Sequence, residues 1–462
     1  MRMILTLLLY FALHLNLSAQ NIHRTACQGN LARLDSMLVS TEINIKDYRG
    51  RSLLHWAVAC EKKEIFDYLL RKGIDLNGED QQRRTPLHLA VQLDRKKYLD
   101  TIVQLQPNKD WTSKYGASLL ELAVLNGNQV MLEALISRGV NVNSTNTRGS
   151  SALEISQRLG NKTISDLLLS LGADKDLVRT IKVEGKYMGQ EEPGTKPRLF
   201  APNFISTEEQ EFGSVFNTAG TEFYFGVDVN GKSEIRYSAM EGNQWTIPIT
   251  LFSHDRYGYN DPFLSNDEKR LYFISKRALD GKGALKDVDI WYAEKTTDGW
   301  SEPINAGMNI NTKGNEYYIS FTQDGTMFFS SNGHGAIEGQ EKDFDIFFSQ
   351  SIDGKFQKPL ALGEAVNTPS YEGDVFVAPD ESYLIFCSER DNGFGRGDLY
   401  VSFKDTNDQW TKAVNMGSEI NTLHYEYCPF VTKDGKYLLY TSNQDIYWVS
   451  TEVLKRIKDT LE

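Results

Sequence analysis

Leucines 54, 87, 120 and 153 stand 33 residues apart, each at the same place in a six-residue phrase. The phrases are Ser52-Leu53-Leu54-His55-Trp56-Ala57, Thr85-Pro86-Leu87-His88-Leu89-Ala90, Ser118-Leu119-Leu120-Glu121-Leu122-Ala123 and Ser151-Ala152-Leu153-Glu154-Ile155-Ser156. A unit this small cannot bury its own apolar face, so stacked neighbours must supply the core. Each phrase opens with a hydroxyl residue that can cap a helix, and Pro86 adds a first-turn proline whose missing N–H costs nothing. Second helices are predicted over residues 64–71 and 129–137. Gly73, Gly139 and Gly172 stop the second helices of their units, where a left-handed cap suits glycine. A degenerate earlier copy over 26–50 brings the array to about five units across residues 21–176, the outer two acting as caps.

The period and the Thr-Pro-Leu-His-Leu-Ala phrase resemble ankyrin repeats. That resemblance implies a helical solenoid that binds proteins through a concave face. It also implies that His55 and His88 hydrogen-bond the turn backbone. As metal ligands they lack the accompanying Cys/His/Asp cluster.

A second, longer period follows. Gly185, Gly189, Pro193, Gly194, Pro197 and Pro202 break any helix, and residues 177–195 read as a linker. Beyond it the turn aspartates Asp267, Asp324, Asp380 and Asp434 recur every 54–57 residues, and Gly220 marks a shorter first copy. Each copy has two apolar runs around the turn, then an acidic residue before a third strand: Glu234, Asp289, Asp345, Asp398 and Asp445. A fourth strand follows, as over 300–304 and 410–414. Such four-stranded units need neighbours to bury their faces. They resemble the WD40-like β-propeller repeats of the TolB type, found in exported cell-envelope proteins. The expected fold is therefore an ankyrin-like helical solenoid followed by a five-bladed β-propeller, six blades being the alternative. The fifth copy lacks a fourth strand. Residues 199–205 parallel 304–310, and 196–205 are predicted to pair in the last blade, closing a ring over 196–450 and removing an exposed edge. Residues 451–462 read as a helical tail.

The formal charge of −12 and a pI near 5.3 disfavour nucleic acid and anionic lipid as partners. Residues 1–19 run from Arg2 through an apolar stretch to Leu17-Ser18-Ala19, a secretory signal pattern too short to span a membrane. The mature chain is expected to be exported, to the periplasm or beyond the cell, without membrane insertion. Four cysteines remain, Cys27, Cys60, Cys387 and Cys428, in adjacent copies of each array. An oxidising compartment permits bridges, but small buried thiols are the favoured reading.

One constellation recurs in the second array. Asn311-Thr312 precedes Glu316, Asn367-Thr368 precedes Glu372, Asn421-Thr422 precedes Glu426, and Ser206-Thr207 precedes Glu211. The second copy has Tyr259 at the matching place. Arg277 and Arg390 follow second strands, where Asn332 and Asn443 stand in other copies. Propeller logic puts these glutamates near the mouth of the central channel. Three readings compete. The favoured one has each Glu accepting hydrogen bonds that pin one blade to the next, since a structural need repeats and a catalytic one does not. The second is a cation or sugar site built from oxygen ligands. The third is glycoside hydrolysis by two of the carboxylates. Tyr257, Tyr259, Tyr317, Tyr318, Phe394 and Tyr425 are candidates for sugar stacking, though strand settings favour packing between blades. No Gly-x-Ser-x-Gly elbow, phosphate loop or His-Glu-x-x-His occurs. The sequence implies no cofactor. The expected function is a scaffold for protein partners in the cell envelope, with a carbohydrate-binding or glycoside-hydrolysing propeller as the alternative.

Overall fold

The computed structural model describes residues 22–81, 84–105, 118–146, 149–178, 182–207, 209–229, 231–334 and 343–461; the signal pattern at 1–19 lies outside them. The chain divides into two compact units, Met1–Thr180 and Ile181–Glu462.

The first unit is a stack of helix pairs. A helix over 22–28 and Leu31–Leu38 form the opening pair. Leu53–Ala59 with Lys63–Arg71, Pro86–Gln92 with Lys96–Leu105, Leu119–Leu125 with Gln129–Ser137, and Ala152–Arg158 with Lys162–Ser170 follow. Ser52, Thr85, Ser118 and Ser151 are the N-caps, each accepting from the backbone N–H three residues on. The phrase leucines 54, 87, 120 and 153 all lie in the continuous apolar core.

In three units the residue three places after the cap returns the bond to the cap's own N–H: His55, His88 and Glu121. His55 does more. Its Nδ1 accepts from Ser52 N–H at 3.1 Å, so Nε2 carries the proton and donates to Arg84 O, in the next unit, at 2.8 Å. Burial lowers its pKa. Both ring nitrogens are committed to the backbone, which removes His55 as a metal ligand.

Cys27 and Cys60 are not the small buried thiols expected: they are disulfide-bonded, with Cα atoms 5.2 Å apart. The 33-residue repeat sets them side by side on adjacent units, within the span a disulfide requires. Cys387 and Cys428 are free, buried thiols.

The second unit is a five-bladed β-propeller, each blade an antiparallel sheet. The inner strands are Gln210–Phe216, Asn260–Leu264, Glu316–Phe321, Glu372–Val377 and Glu426–Val431. In the first four blades the order runs outward to Ile249–Phe252, Ile304–Asn305, Leu360–Ala361 and Val414–Asn415. The fifth blade takes its outer strand from the start of the unit: Arg198–Leu199 pairs antiparallel with Asp445–Ser450, Arg198 opposite Trp448 and Leu199 opposite Tyr447. Phe200, fully buried, then packs against Phe216 and Phe223 of blade 1 and Trp448 of blade 5 at ring distances of 5.3–5.9 Å.

The segment expected as a linker is largely part of this unit. Trp245 N–H donates to Val183 O, Gly185 N–H to Asn243 O, and the Trp245 indole to Gly185 O. Tyr187 sits edge-on between Phe216 and Tyr437, and its hydroxyl donates to Asp434 at 2.7 Å. Its apolar body is what draws this stretch, which composition marks as loop, onto the blades. The tail carries a helix at Glu452–Asp459.

Candidate functional site

At the head of every inner strand one backbone N–H reaches back to the previous blade. Tyr259 N–H donates to Ser233 O at 2.9 Å, Glu316 to Val288 at 2.8 Å, Glu372 to Phe344 at 3.0 Å, and Glu426 to Gly397 at 2.8 Å. Glu211 N–H completes the circle on Gln444 O at 3.0 Å. Each acceptor stands at the start of the preceding blade's third strand.

The side chains before and at this position reinforce the join. Asn311 Oδ1 accepts from Ile290 N–H while its Nδ2 donates to Ile290 O. Asn367 treats Ile346 in the same way, and Asn421 treats Leu399. Ser206 instead donates its hydroxyl to Ile446 O. The following threonine donates both N–H and hydroxyl to the glutamate: Thr207 to Glu211, Thr312 to Glu316, Thr368 to Glu372 and Thr422 to Glu426. In three blades a second-strand serine adds its hydroxyl, Ser331, Ser388 and Ser442. All four carboxylates are fully buried. Burial pushes Glu316 up to about 7, against the pull of its Thr312 and Ser331 donors, and raises Glu426 as well.

The two arginines occupy matching places and serve their own blades. Arg390 Nη2 lies 3.3 Å from Glu372 Oε1 and donates to Val366 O at 2.9 Å, with its guanidinium 4.4 Å over the Tyr400 ring. In blade 2 Arg277 meets the substituted residue, its Nη1 3.4 Å from the Tyr259 hydroxyl, and lies over Trp291. Thus Arg390 is brought to Glu372 and Arg277 to Tyr259, while each glutamate is held by hydroxyls and N–H groups around its own strand. Of the aromatics, Tyr257, Tyr259 and Tyr318 are buried, and Tyr317 stacks on Phe344 at 4.8 Å. Phe394 is exposed.

Two residues further along each inner strand lies a second ring that the sequence reading passed over. The register of all five inner strands slips at a bulge there. The bulge residues are Gly213, Asp261, Tyr318, Asp374 and Cys428, with φ between 44° and 53°. Left-handed backbone is costly for the four with side chains, so the surrounding sheet imposes it. Their side chains meet at the axis, the place where residues of non-adjacent blades can touch. One donor atom each from Asp261, Asp374 and Cys428 lies within 4.8 Å of the other two. Cys428 Sγ is 3.4 Å from Asp261 Oδ1, and the Tyr318 hydroxyl crosses to Pro429 O of blade 5 at 2.9 Å. A Cβ on Gly213 would stand 2.9 Å from Asp261 Oδ1 and 3.6 Å from Cys428 Sγ. Burial raises the pKa of Asp261, Asp374 and the Cys428 thiol together. The column Gly, Asp, Tyr, Asp, Cys, two places after the recurring Glu, was the available signal.

No curated protein matches the chain. A family model described as ankyrin repeats matches residues 22–114, in three copies. The helical unit is an ankyrin-repeat array, and the all-β unit that follows it is a five-bladed propeller.

Proposed function

We propose that the chain is an exported, non-enzymatic scaffold that binds protein partners through the surfaces of its ankyrin array and its propeller, in the periplasm or outside the cell. The observation that carries this reading is the commitment of Glu211, Glu316, Glu372 and Glu426 to threonine and serine donors at the blade joins. A carboxylate acting on a glycosidic bond must face substrate, and these four face their own loops. Repeat arrays present extended surfaces, and partner binding is their usual work. The WD40-like, TolB-type character of the blades belongs to the same proposal. Export is supported by the signal pattern at 1–19 and by the Cys27–Cys60 bridge, since structural disulfides persist in oxidising compartments. Among the described residues no helix is long and apolar enough to cross a membrane.

The test is affinity capture from the producing cell's envelope with the mature chain and with a Glu316→Gln/Glu372→Gln variant. The same specific proteins are expected with both. Retention of glycans alone, lost in the variant, would overturn the scaffold reading in favour of a carbohydrate site.

A further inference from the structure

The two rings of the propeller treat their acids differently. Every glutamate of the outer ring has hydroxyl and N–H donors. The aspartates of the axial ring have almost none. Asp261 has the Cys428 thiol at 3.4 Å. Asp374 is more than nine-tenths buried, and among the described residues the group drawing on it favourably is the Cys428 backbone N–H. Among the described residues no lysine, arginine or histidine forms an ion pair with either carboxylate. Two buried carboxylates within 4.8 Å of each other and of a thiol cannot all stay ionised unless a cation joins them; without one they hold protons. The fold nevertheless holds all three bulge residues in left-handed backbone to bring them there. Blade 1 contributes Gly213 at the equivalent place, so its Cβ, which would stand 2.9 Å from Asp261 Oδ1, is missing from the crowded ring.

We propose that Asp261, Asp374 and Cys428 form a binding site for one divalent first-row transition ion of the zinc class, held on the propeller axis. Two carboxylate oxygens and one sulfur form a borderline donor set, suited to Zn²⁺ rather than to Mg²⁺ or Ca²⁺, which take oxygen ligands alone. Tetrahedral ligation at bonds of about 2.0–2.3 Å separates ligand atoms by roughly 3.5 Å. The trio must therefore draw in by roughly 1 Å from its outermost spacing, which a small side-chain rotation supplies. A fourth position is left for water. The ion replaces the thiol and carboxyl protons and cross-links blades 2, 4 and 5, so its role is to lock the ring. The cation reading of the propeller thus moves from the glutamates to the residues two places on.

The experiment uses the mature full chain, stripped with a chelator and titrated with Zn²⁺ and, separately, Co²⁺. One equivalent of Zn²⁺ is expected to bind and raise the melting temperature. Co²⁺ is expected to give the intense near-ultraviolet band of a thiolate–cobalt bond. Asp374→Asn and Cys428→Ser should each weaken binding by at least about 100-fold, as ligand loss exceeds the effect of losing an outer-shell partner. Cys387→Ser, which alters the other buried thiol, should leave binding unchanged. Absence of the cobalt band in the unmodified chain overturns the proposal by itself, whether or not the variants fold. Stoichiometric binding that survives in folded Asp374→Asn and Cys428→Ser chains overturns it too, and would place the ion elsewhere.

Discussion

Glu316 shows what one side chain does in this propeller. Its carboxylate ties the Thr312 loop to Ser331 on the second strand, while its backbone N–H holds blade 2. Its pKa near 7 lies above the ordinary 4.5. Between those values the unfolded chain has released the proton that the folded chain keeps. The contribution to stability is therefore full below about pH 4.5 and is lost as pH rises through about 7. The gap corresponds to about 3 kcal/mol. Glu316→Gln stays neutral and can satisfy the same hydroxyls, so the difference in unfolding free energy between variant and parent, read from urea titrations, should change by roughly that amount from pH 4 to 8. Parallel curves of that free energy against pH would contradict this. Glu316→Leu leaves the Thr312 and Ser331 donors without an acceptor and should cost about 2–4 kcal/mol at pH 5.

At this scale the sequence was legible where chemistry repeats. Asn-Thr before Glu recurs with constant spacing because three of the five joins use the same three groups. The axial column had only its fixed offset to give it away: its residues, Gly, Asp, Tyr, Asp and Cys, share no side-chain type, only a bulged, left-handed backbone. The disulfide escaped for a related reason. Spacing placed Cys27 and Cys60 at equivalent points, but only the helix geometry sets their Cα atoms 5.2 Å apart.

Among the elements, two short pieces of chain carry more than their length suggests. Arg198–Leu199 is a two-residue strand, yet with Phe200 it joins the first blade to the last. Phe200→Ala should cost about 3–5 kcal/mol, the range for truncating a fully buried aromatic residue. Deleting residues 187–205 should unfold the whole propeller in one transition, read by the near-ultraviolet circular dichroism of its aromatic core; an unchanged melt would show that the ring does not need this strand. The second piece is the helix over 22–28, fastened by Cys27 to Cys60. Among the described residues it belongs to the first unit of the stack, with a neighbouring unit on one side. Reduction of the bridge, or Cys27→Ser with Cys60→Ser, should destabilise the array by about 2–4 kcal/mol. Hydrogen exchange should quicken first over 22–38. Uniform quickening along the array would argue against a local cap. The paired helices and blades were readable from their periods. Residues 183–190 were not, because glycines and a nearby proline conceal a segment anchored by Tyr187 and by Trp245 of a blade some sixty residues on.

For the molecule as a whole, the two arrays solve one problem in two ways. Helix pairs and blades alike are too small to stand alone, and each gains a core from its neighbours. The helical stack is open, one unit following another, whereas the propeller returns on itself through the strand at 198–199. In the proposed function both offer their surfaces to protein partners. The partner class depends on where the chain resides, and the most direct measurement is made on the protein as cells produce it. Cells are lysed into a thiol-blocking reagent, fractionated, and the protein mapped by mass spectrometry. The expected result is an N-terminus at Gln20, a position in the envelope or medium, an intact Cys27–Cys60 bridge, and Cys387 and Cys428 unbridged. A chain that keeps residues 1–19, sits in the cytosol and carries alkylated Cys27 and Cys60 would contradict it.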